Sequence, residues 1–321
     1  MTKFCCKCGN KGDVICTRCN RGPFCQPCLE KHLIRCQGPV EAIDPESLQT
    51  GSQRKAIRAP LNYPGSKAKS LDKILPHLPY RGAYIEPFGG GAAVLLARQS
   101  EKLEVYNDRY GGVCCFFRVI RDRCEELMER LDLTIHSREE FDFSKATWES
   151  CADEVERAAR WYYSMYYSFG GLGDHFGRNT KPSNPYAGKL RNRIPEFPAL
   201  SERFRHVQIE NLDYRDIIHD YDQYEAVFYL DPPYYETKSP HYKSIMTNQD
   251  HRDMLNQIFI IKGFVALSGY KNDLYDSYKW TDRITWTRKD VMDGMAFTEE
   301  NNREKSNRGV VEEVLWIREA R

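Results

Sequence analysis

From about residue 59 onward the sequence alternates short β-rich runs with amphipathic stretches, and this rhythm admits few architectures. The runs are AYIEPF (83–88), LEVYND (103–108), VQIEN (207–211), AVFYLD (226–231), FVALSG (264–269) and VEEVLWI (311–317). Between them lie helical patterns such as residues 113–131 and 250–261. Such alternation predicts an α/β fold, one sheet with helices on its faces. With 321 residues, 41% of them hydrophobic, the chain can bury a real core and is not disordered as a whole. No internal repeat is visible.

Residues 132–206 interrupt the rhythm. Their first part, DEVERAARWYYSMYYSF, reads as a helix whose aromatics pack in a core. Their second part is rich in loops, and residues 178–205 hold seven Lys/Arg against two Asp/Glu. The net charge of the whole chain is only +1, so any contact with a polyanion must use a local patch of this kind. Arg178, Lys181, Lys189, Arg191 and Arg193 are the candidates for phosphate contacts. Phe176, Tyr186, Phe197 and Phe204 interleave with them as candidates for stacking on bases. A solvated loop is the competing reading.

Eight of the twelve cysteines fall within residues 5–36. They form CxxC pairs at Cys5/Cys8, Cys16/Cys19 and Cys25/Cys28, followed by His32/Cys36, whose spacing suits one face of a helical turn. Each pair can supply half of a tetrahedral zinc site, so the eight residues make two sites. A segment this short has too little core to fold unaided, and two metal ions would supply the missing free energy. The alternative, a disulfide framework, is disfavoured in a reducing cytosol. Alternating pairing is expected: Cys5, Cys8, Cys25 and Cys28 around one ion, Cys16, Cys19, His32 and Cys36 around the other. That order resembles the ZZ and B-box fingers. Sequential pairing stays open, with Cys6 a spare. Residues 1–37 are thus expected to form a two-zinc module that contacts DNA or a protein partner, and residues 38–58 a polar linker. Cys114 and Cys115, in the apolar run VCCFF, read as buried small hydrophobes. No apolar run approaches the roughly 20 residues that span a bilayer, and the first residues lack a secretory apolar region. The expectation is a soluble cytoplasmic protein.

Three motifs carry chemistry. Glu86-Pro87-Phe88-Gly89-Gly90-Gly91 follows a strand and precedes an apolar helix. Its glycines let a ligand approach the backbone at the strand's carboxyl end. Asp108, after the next strand, is placed to accept hydrogen bonds from ribose hydroxyls. A dinucleotide fingerprint fits poorly, since Val94 stands where its third glycine would be. Asp231-Pro232-Pro233-Tyr234 ends the apolar strand AVFYL, and a structural turn has no need of that combination. Tyr63-Pro64-Gly65-Ser66-Lys67 precedes the first strand–helix unit and by itself is only a turn with a lysine.

In this order, with a basic insertion before DPPY, the motifs resemble those of Dam-type DNA adenine methyltransferases, the α group of amino-methyltransferases. SFGGLGDHFGR (168–178) and the closing Arg-Gly-x-x-Glu-Glu-x-Leu strand are also similar to that family. The resemblance covers residues 59–321 and says nothing of the cysteine-rich segment. It implies a Rossmann-like, S-adenosylmethionine-dependent methyltransferase fold with residues 132–206 as a helical and loop-rich target-recognition insertion. It also implies that residues 89–91 with Glu86, Pro87 and Phe88 meet the methionine end of the cofactor, Asp108 its ribose, and Asp213 and Tyr214 its adenine. Tyr63 and Lys67 would pack around it. Double-stranded DNA would be the substrate. Asp231 and the Pro232 carbonyl would accept the two N6–H groups of a flipped adenine, Pro233 would stiffen the turn, and Tyr234 would stack on the base.

Two other readings remain: a zinc-dependent DNA- or protein-binding adaptor with a non-catalytic methyltransferase domain, and, if DPPY is irrelevant, a nicotinamide oxidoreductase. The same DPPY geometry could also hold a cytosine or glutamine amine, although Asp at its first position in this motif order favours adenine.

Overall fold

A computed structural model describes residues 57–61, 65–178, 187–235, 246–289 and 310–321, with the backbone alone for residues 14–16, 21–24, 40–42, 288–289 and 310. The chain divides into two compact units, Met1–Ala56 and Ile57–Arg321.

In the first unit the strands β1 (Val14–Cys16), β2 (Arg21–Phe24) and β3 (Val40–Ala42) form an antiparallel sheet in the order β2-β1-β3. β3 falls within the segment read above as linker. The side chains of Cys5, Cys8, Cys16, Cys19, Cys25, Cys28, His32 and Cys36 lie outside the described residues.

The second unit is built on a seven-stranded sheet. Its strands are β4 (Ala83–Glu86), β5 (Leu103–Asn107), β6 (Val207–Glu210), β7 (Ala226–Leu230), β8 (Phe264–Tyr270), β9 (Asp282–Lys289) and β10 (Val310–Arg318). The order is β6-β5-β4-β7-β8-β10-β9. The first five are parallel, and β10 runs antiparallel between β8 and β9. This is a mixed α/β fold consistent with S-adenosylmethionine-dependent methyltransferases. All six expected strands form. β9 was not among them: it is an outer strand in which only Ile284 and Trp286 pack on the core, so its apolar signal is short.

The sheet is buried on both faces, and successive residues divide between two cores. Tyr84, Tyr106, Val227 and Tyr229 face one, while Ala83, Ile85, Val105, Phe228 and Leu230 face the other. The first core is covered by the helices Gly111–Asp122, Glu154–Tyr166 and Phe197–Phe204, the second by Tyr214–Asp220 and Asn248–Ile258. Residues 113–131 are not one helix. Arg123 (φ −139°, ψ 42°) separates Gly111–Asp122 from Cys124–Asp132. Glu125 and Glu126 then stand in the first turn of the new helix, where its dipole favours them.

The aromatics of Glu154–Tyr166 are core residues as expected: Trp161, Tyr162 and Tyr163 are fully buried. Trp161 reaches in over Gly112, where a Cβ would come within 2.3 Å of its indole. Cys114 and Cys115 are buried thiols, also as expected. Phe197 and Phe204 are a correction: both are buried in the first core and have no face free to stack on a base, because they complete the packing around Phe116 and Phe117. Phe176 is half-buried and stacks on His136, and Tyr186 lies outside the described residues. Among the described residues no helix is long and apolar enough to cross a membrane.

Candidate active site

The chain leaves β4 for β5 on one side of the sheet and later returns to place β7 on the other side of β4. The carboxyl ends of β4 and β7 therefore flank the topological switch point, where open α/β sheets bind ligands. A cavity of about 280 Å³ opens there. Its lining includes residues 86–91 from the end of β4, Asp108 after β5, residues 212–215 after β6, and Asp231 and Pro233 after β7. Gly65 and Lys67 close one side, Met246 and Asp250 another.

The glycine turn is held by its neighbours on β5. Gly89 N–H donates to the Asn107 carbonyl (2.7 Å), and Tyr106 Oη donates to the Gly90 carbonyl (2.6 Å). Asp108 accepts from Gly90 N–H and Tyr110 N–H, each at 2.8 Å. Burial pushes the Asp108 carboxyl above its ordinary range. Those two bonds use half of the acceptor sites of a carboxylate and leave others for a ligand. Ala92 follows at φ +56°, in the left-handed region, and opens the helix Ala93–Ala97. Gly89 is required by its neighbour: a Cβ would lie 2.2 Å from the buried Tyr106 ring. Gly89→Ala is therefore expected to destabilise the fold by about 1–3 kcal/mol through overpacking. Thermal melting should show a Tm lower by several degrees. An unchanged Tm would mean that Tyr106 does not fix this turn.

Beyond β7 the Asp231 carboxylate meets Lys67. Lys67 Nζ is 2.7 Å from Oδ1 and 2.6 Å from Oδ2, and it also donates to the Gly65 carbonyl (3.0 Å). Ser268 Oγ donates to Oδ1 at 2.8 Å. Burial raises the Asp231 pKa above its ordinary value, and Lys67 and Ser268 act against that rise. Lys67 Nζ also lies 4.9 Å from the centroid of the Tyr234 ring. Nearby, Glu86 is buried and hydrogen-bonded by Tyr84 Oη (2.6 Å), and burial pushes its carboxyl up to about 8. On the far wall Phe88 and Tyr214 pack ring against ring, with centroids 5.2 Å apart. Asp213 caps the helix Tyr214–Asp220, and Arg215 bridges Asp213 to Asp250.

Residues 63–292 match the family described as D12 class N6 adenine-specific DNA methyltransferase. The chain belongs to this family. It is 27% identical over 246 residues to the type II methyltransferase M.MjaIII of Methanocaldococcus jannaschii, covering 68% of this chain and 83% of that protein. Over 203 residues it is 24% identical to the modification methylase StsI of Streptococcus sanguinis, covering 59% of this chain and 30% of that protein. Over 299 residues it is 22% identical to the type II methyltransferase M.FokI of Planomicrobium okeanokoites, covering 81% and 42%. The chain thus spans less than half the length of the StsI and FokI proteins.

Within this D12 framework, most of the residues singled out in the sequence line the one cavity: Lys67, Glu86, Pro87, Phe88, Gly89, Gly90, Gly91, Asp108, Asp213, Tyr214, Asp231 and Pro233. Tyr63 lies outside the described residues. Pro232 and Tyr234 are buried and flank lining residues Asp231 and Pro233 without lining the cavity themselves. Of the basic candidates, Arg178 is exposed, Lys189 is half-buried, and Lys181 lies outside the described residues. Arg191 is exposed and braced by Asp132. Arg193 is turned inward, 12% exposed, donating to the Ala59 carbonyl (2.6 Å) and paired with Glu196. A guanidinium committed in this way serves the fold rather than a phosphate.

Sequence reasoning missed Ser268 and the pairing of Lys67 with Asp231. It also missed the wall formed by Arg215, Met246 and Asp250. Each depends on contacts between segments far apart in the chain. Among the described residues no group of three or more His, Cys, Asp or Glu is arranged to hold a metal ion.

Proposed function

We propose that the chain transfers a methyl group from S-adenosylmethionine to N6 of an adenine at a specific site in double-stranded DNA, in the manner of the Dam-type α group. One observation carries this reading: the Asp231 carboxylate and the glycine turn 89–91 line the same cavity across the switch point. The residues present fit the cofactor. Asp108 and Asp213 offer acceptors for hydroxyl and amino groups, Phe88 and Tyr214 offer aromatic faces, and the turn offers open backbone. When bound, S-adenosylmethionine supplies an electrophilic methyl carbon.

The protein's task is to make a poor nucleophile react. The N6 lone pair of adenine is delocalised into the ring, so the site must localise and aim it. A carboxylate has about four acceptor positions. At Asp231, Lys67 takes two and Ser268 one, which leaves one on Oδ2 for an incoming N6–H. The Pro232 carbonyl is the proposed acceptor for the other N6–H. The rate terms are in-line positioning and stabilisation of positive charge developing on N6. Asp231 need not be a strong base, because the N6 proton is acidic once the methyl group has been transferred. The base must first leave the duplex stack, at a cost of a few kcal/mol. Arg178, Lys189 and Arg191, with Lys181, are the proposed phosphate contacts. A cytoplasmic location, where such a DNA substrate would be met, goes with this reading.

The test is incubation with methyl-labelled S-adenosylmethionine and DNA. Label should enter adenine N6, and an inactive wild-type protein would sink the proposal. The intact Lys67–Asp231–Ser268 network speaks against a decayed domain serving only as an adaptor. Calorimetric binding of S-adenosylmethionine separates the two readings.

For the N-terminal unit we propose two zinc ions held by Cys5, Cys8, Cys25 and Cys28 and by Cys16, Cys19, His32 and Cys36, in a module that contacts DNA or a protein partner. The donor set suits zinc, and strands of three or four residues have little apolar surface to bury without such cross-links. Elemental analysis should give about two zinc per chain. A metal-free preparation in which this unit stays folded would overturn the assignment.

A further inference from the structure

We propose that Glu313 is a positioning residue for the catalytic turn, its carboxylate fixing the hydroxyl of Tyr234 and thereby the ring beside the target base. The inference rests on the function proposed above and gives a role to a glutamate of the closing strand, 79 positions from the tyrosine it holds.

Glu313 lies on β10 and is 1% exposed. Its Oε1 accepts from Tyr234 Oη (3.2 Å), and its Oε2 accepts from Ser70 Oγ (3.2 Å) and Trp286 Nε1 (3.0 Å). These three donors, all from described residues, are neutral and come from three segments. Ser70 directly follows the turn Lys67–Lys69, Tyr234 ends the DPPY motif, and Trp286 is on β9. In register, Glu313 pairs with Tyr270 on β8 and with Trp286 on β9, so the three form one row across the sheet. The Tyr234 ring rests on Tyr270, with centroids 4.3 Å apart, while its hydroxyl reaches Glu313. Lys67 Nζ approaches the same ring. One carboxylate thus ties the segment carrying Lys67 to the turn carrying Asp231 and Tyr234.

A buried carboxylate is a costly way to fill space unless its acceptor sites are used, as Tyr234, Ser70 and Trp286 use them here. What the carboxylate adds is direction. Trp286 can only donate, so an acceptor must face it, whereas the Tyr234 hydroxyl can donate or accept. A glutamine can therefore replace Glu313 with its carbonyl toward Trp286 and its amide donating to Tyr234, and the ring stays in place. A leucine cannot hold it.

The experiment measures steady-state methyl transfer, S-adenosylmethionine affinity and the emission of 2-aminopurine placed at the target adenine. It compares wild type, Tyr234→Phe, Glu313→Gln, Glu313→Leu and the double variant Tyr234→Phe/Glu313→Leu. Tyr234→Phe deletes a single oxygen and is read first, so the test does not depend on the folding of Glu313→Leu. Expected are a kcat drop of about ten- to a hundredfold for Tyr234→Phe and for Glu313→Leu, and cofactor affinity within about twofold of wild type, since neither residue lines the cavity. Glu313→Gln should keep most of the activity. The double variant should be no worse than the poorer single one, the signature of residues acting as a pair. The 2-aminopurine emission should change in Glu313→Leu and not in Glu313→Gln. A wild-type kcat in Tyr234→Phe overturns the proposal, as do multiplicative losses in the double variant or a Glu313→Gln enzyme as poor as Glu313→Leu. A wild-type protein that transfers no methyl group sinks the function itself, a different result from an active enzyme indifferent to these changes.

Discussion

Asp231→Ala is expected to lower kcat for methyl transfer by about a thousandfold or more, the scale reached when a group aimed at developing charge is removed. Asp231→Asn should be almost as poor. Lys67 is a donor on both carboxylate oxygens, so the amide oxygen of an asparagine would turn toward it. Its NH2 group would then face the N6–H that the carboxylate accepts, donor against donor. Both variants keep the glycine turn and the Phe88–Tyr214 wall, so S-adenosylmethionine affinity should change by less than about tenfold, the equivalent of one lost hydrogen bond. Equal methyl incorporation by wild type and Asp231→Ala would refute the role given to this carboxylate.

Lys67→Met should have the second-largest effect, with a sign set by electrostatics. The lysine is 2% exposed and its partner's side chain 18%. Removing one member of a buried pair costs about 3–5 kcal/mol, less whatever proton uptake at Asp231 recovers. Burial already holds the Asp231 pKa above the ordinary 3.8, and Lys67 is the first of the groups that restrain the rise. Ser268 also lowers it, and Glu313 raises it. Without the ammonium group the carboxyl moves further up. Methyl transfer needs its ionised form, so the acidic limb of the pH–rate profile should shift to higher pH. Stability follows the same proton. A carboxyl whose folded pKa exceeds its unfolded one contributes stability that is full below the unfolded value and is lost as pH rises through the folded value. The Tm gap between wild type and Lys67→Met should therefore be narrow in acid and widen toward neutral pH. Superimposable acidic limbs would show that Lys67 does not govern Asp231.

The expected strands were legible because five of them are central and apolar, and a run such as AVFYL has no other place to go. The glycine turn and DPPY were legible because each is compact in sequence. Lys67 was visible as part of a motif, but its partner stands 164 positions away, and nothing local announces that pairing. Glu313 illustrates the other limit. Its strand is buried on both faces, with Leu315 and Ile317 toward one core and Val314 and Trp316 toward the other. Alternation therefore says nothing about which of Glu312 and Glu313 points inward. The basic insertion misled for a related reason. Arg193 and Phe197 have the composition of a nucleic-acid surface, yet the fold uses both inside.

The placement of β10 between β8 and β9 has a consequence for the order of assembly. On the ribosome β9 emerges first, yet it cannot dock until a later-made strand has filled the gap beside β8. Until then the row Tyr270–Glu313–Trp286 does not exist, and the Tyr234 hydroxyl lacks Glu313 as its acceptor. A nascent chain lacking β10 would already carry the Lys67 turn, the glycine turn and DPPY, yet not the strand whose Glu313 receives the Tyr234 hydroxyl.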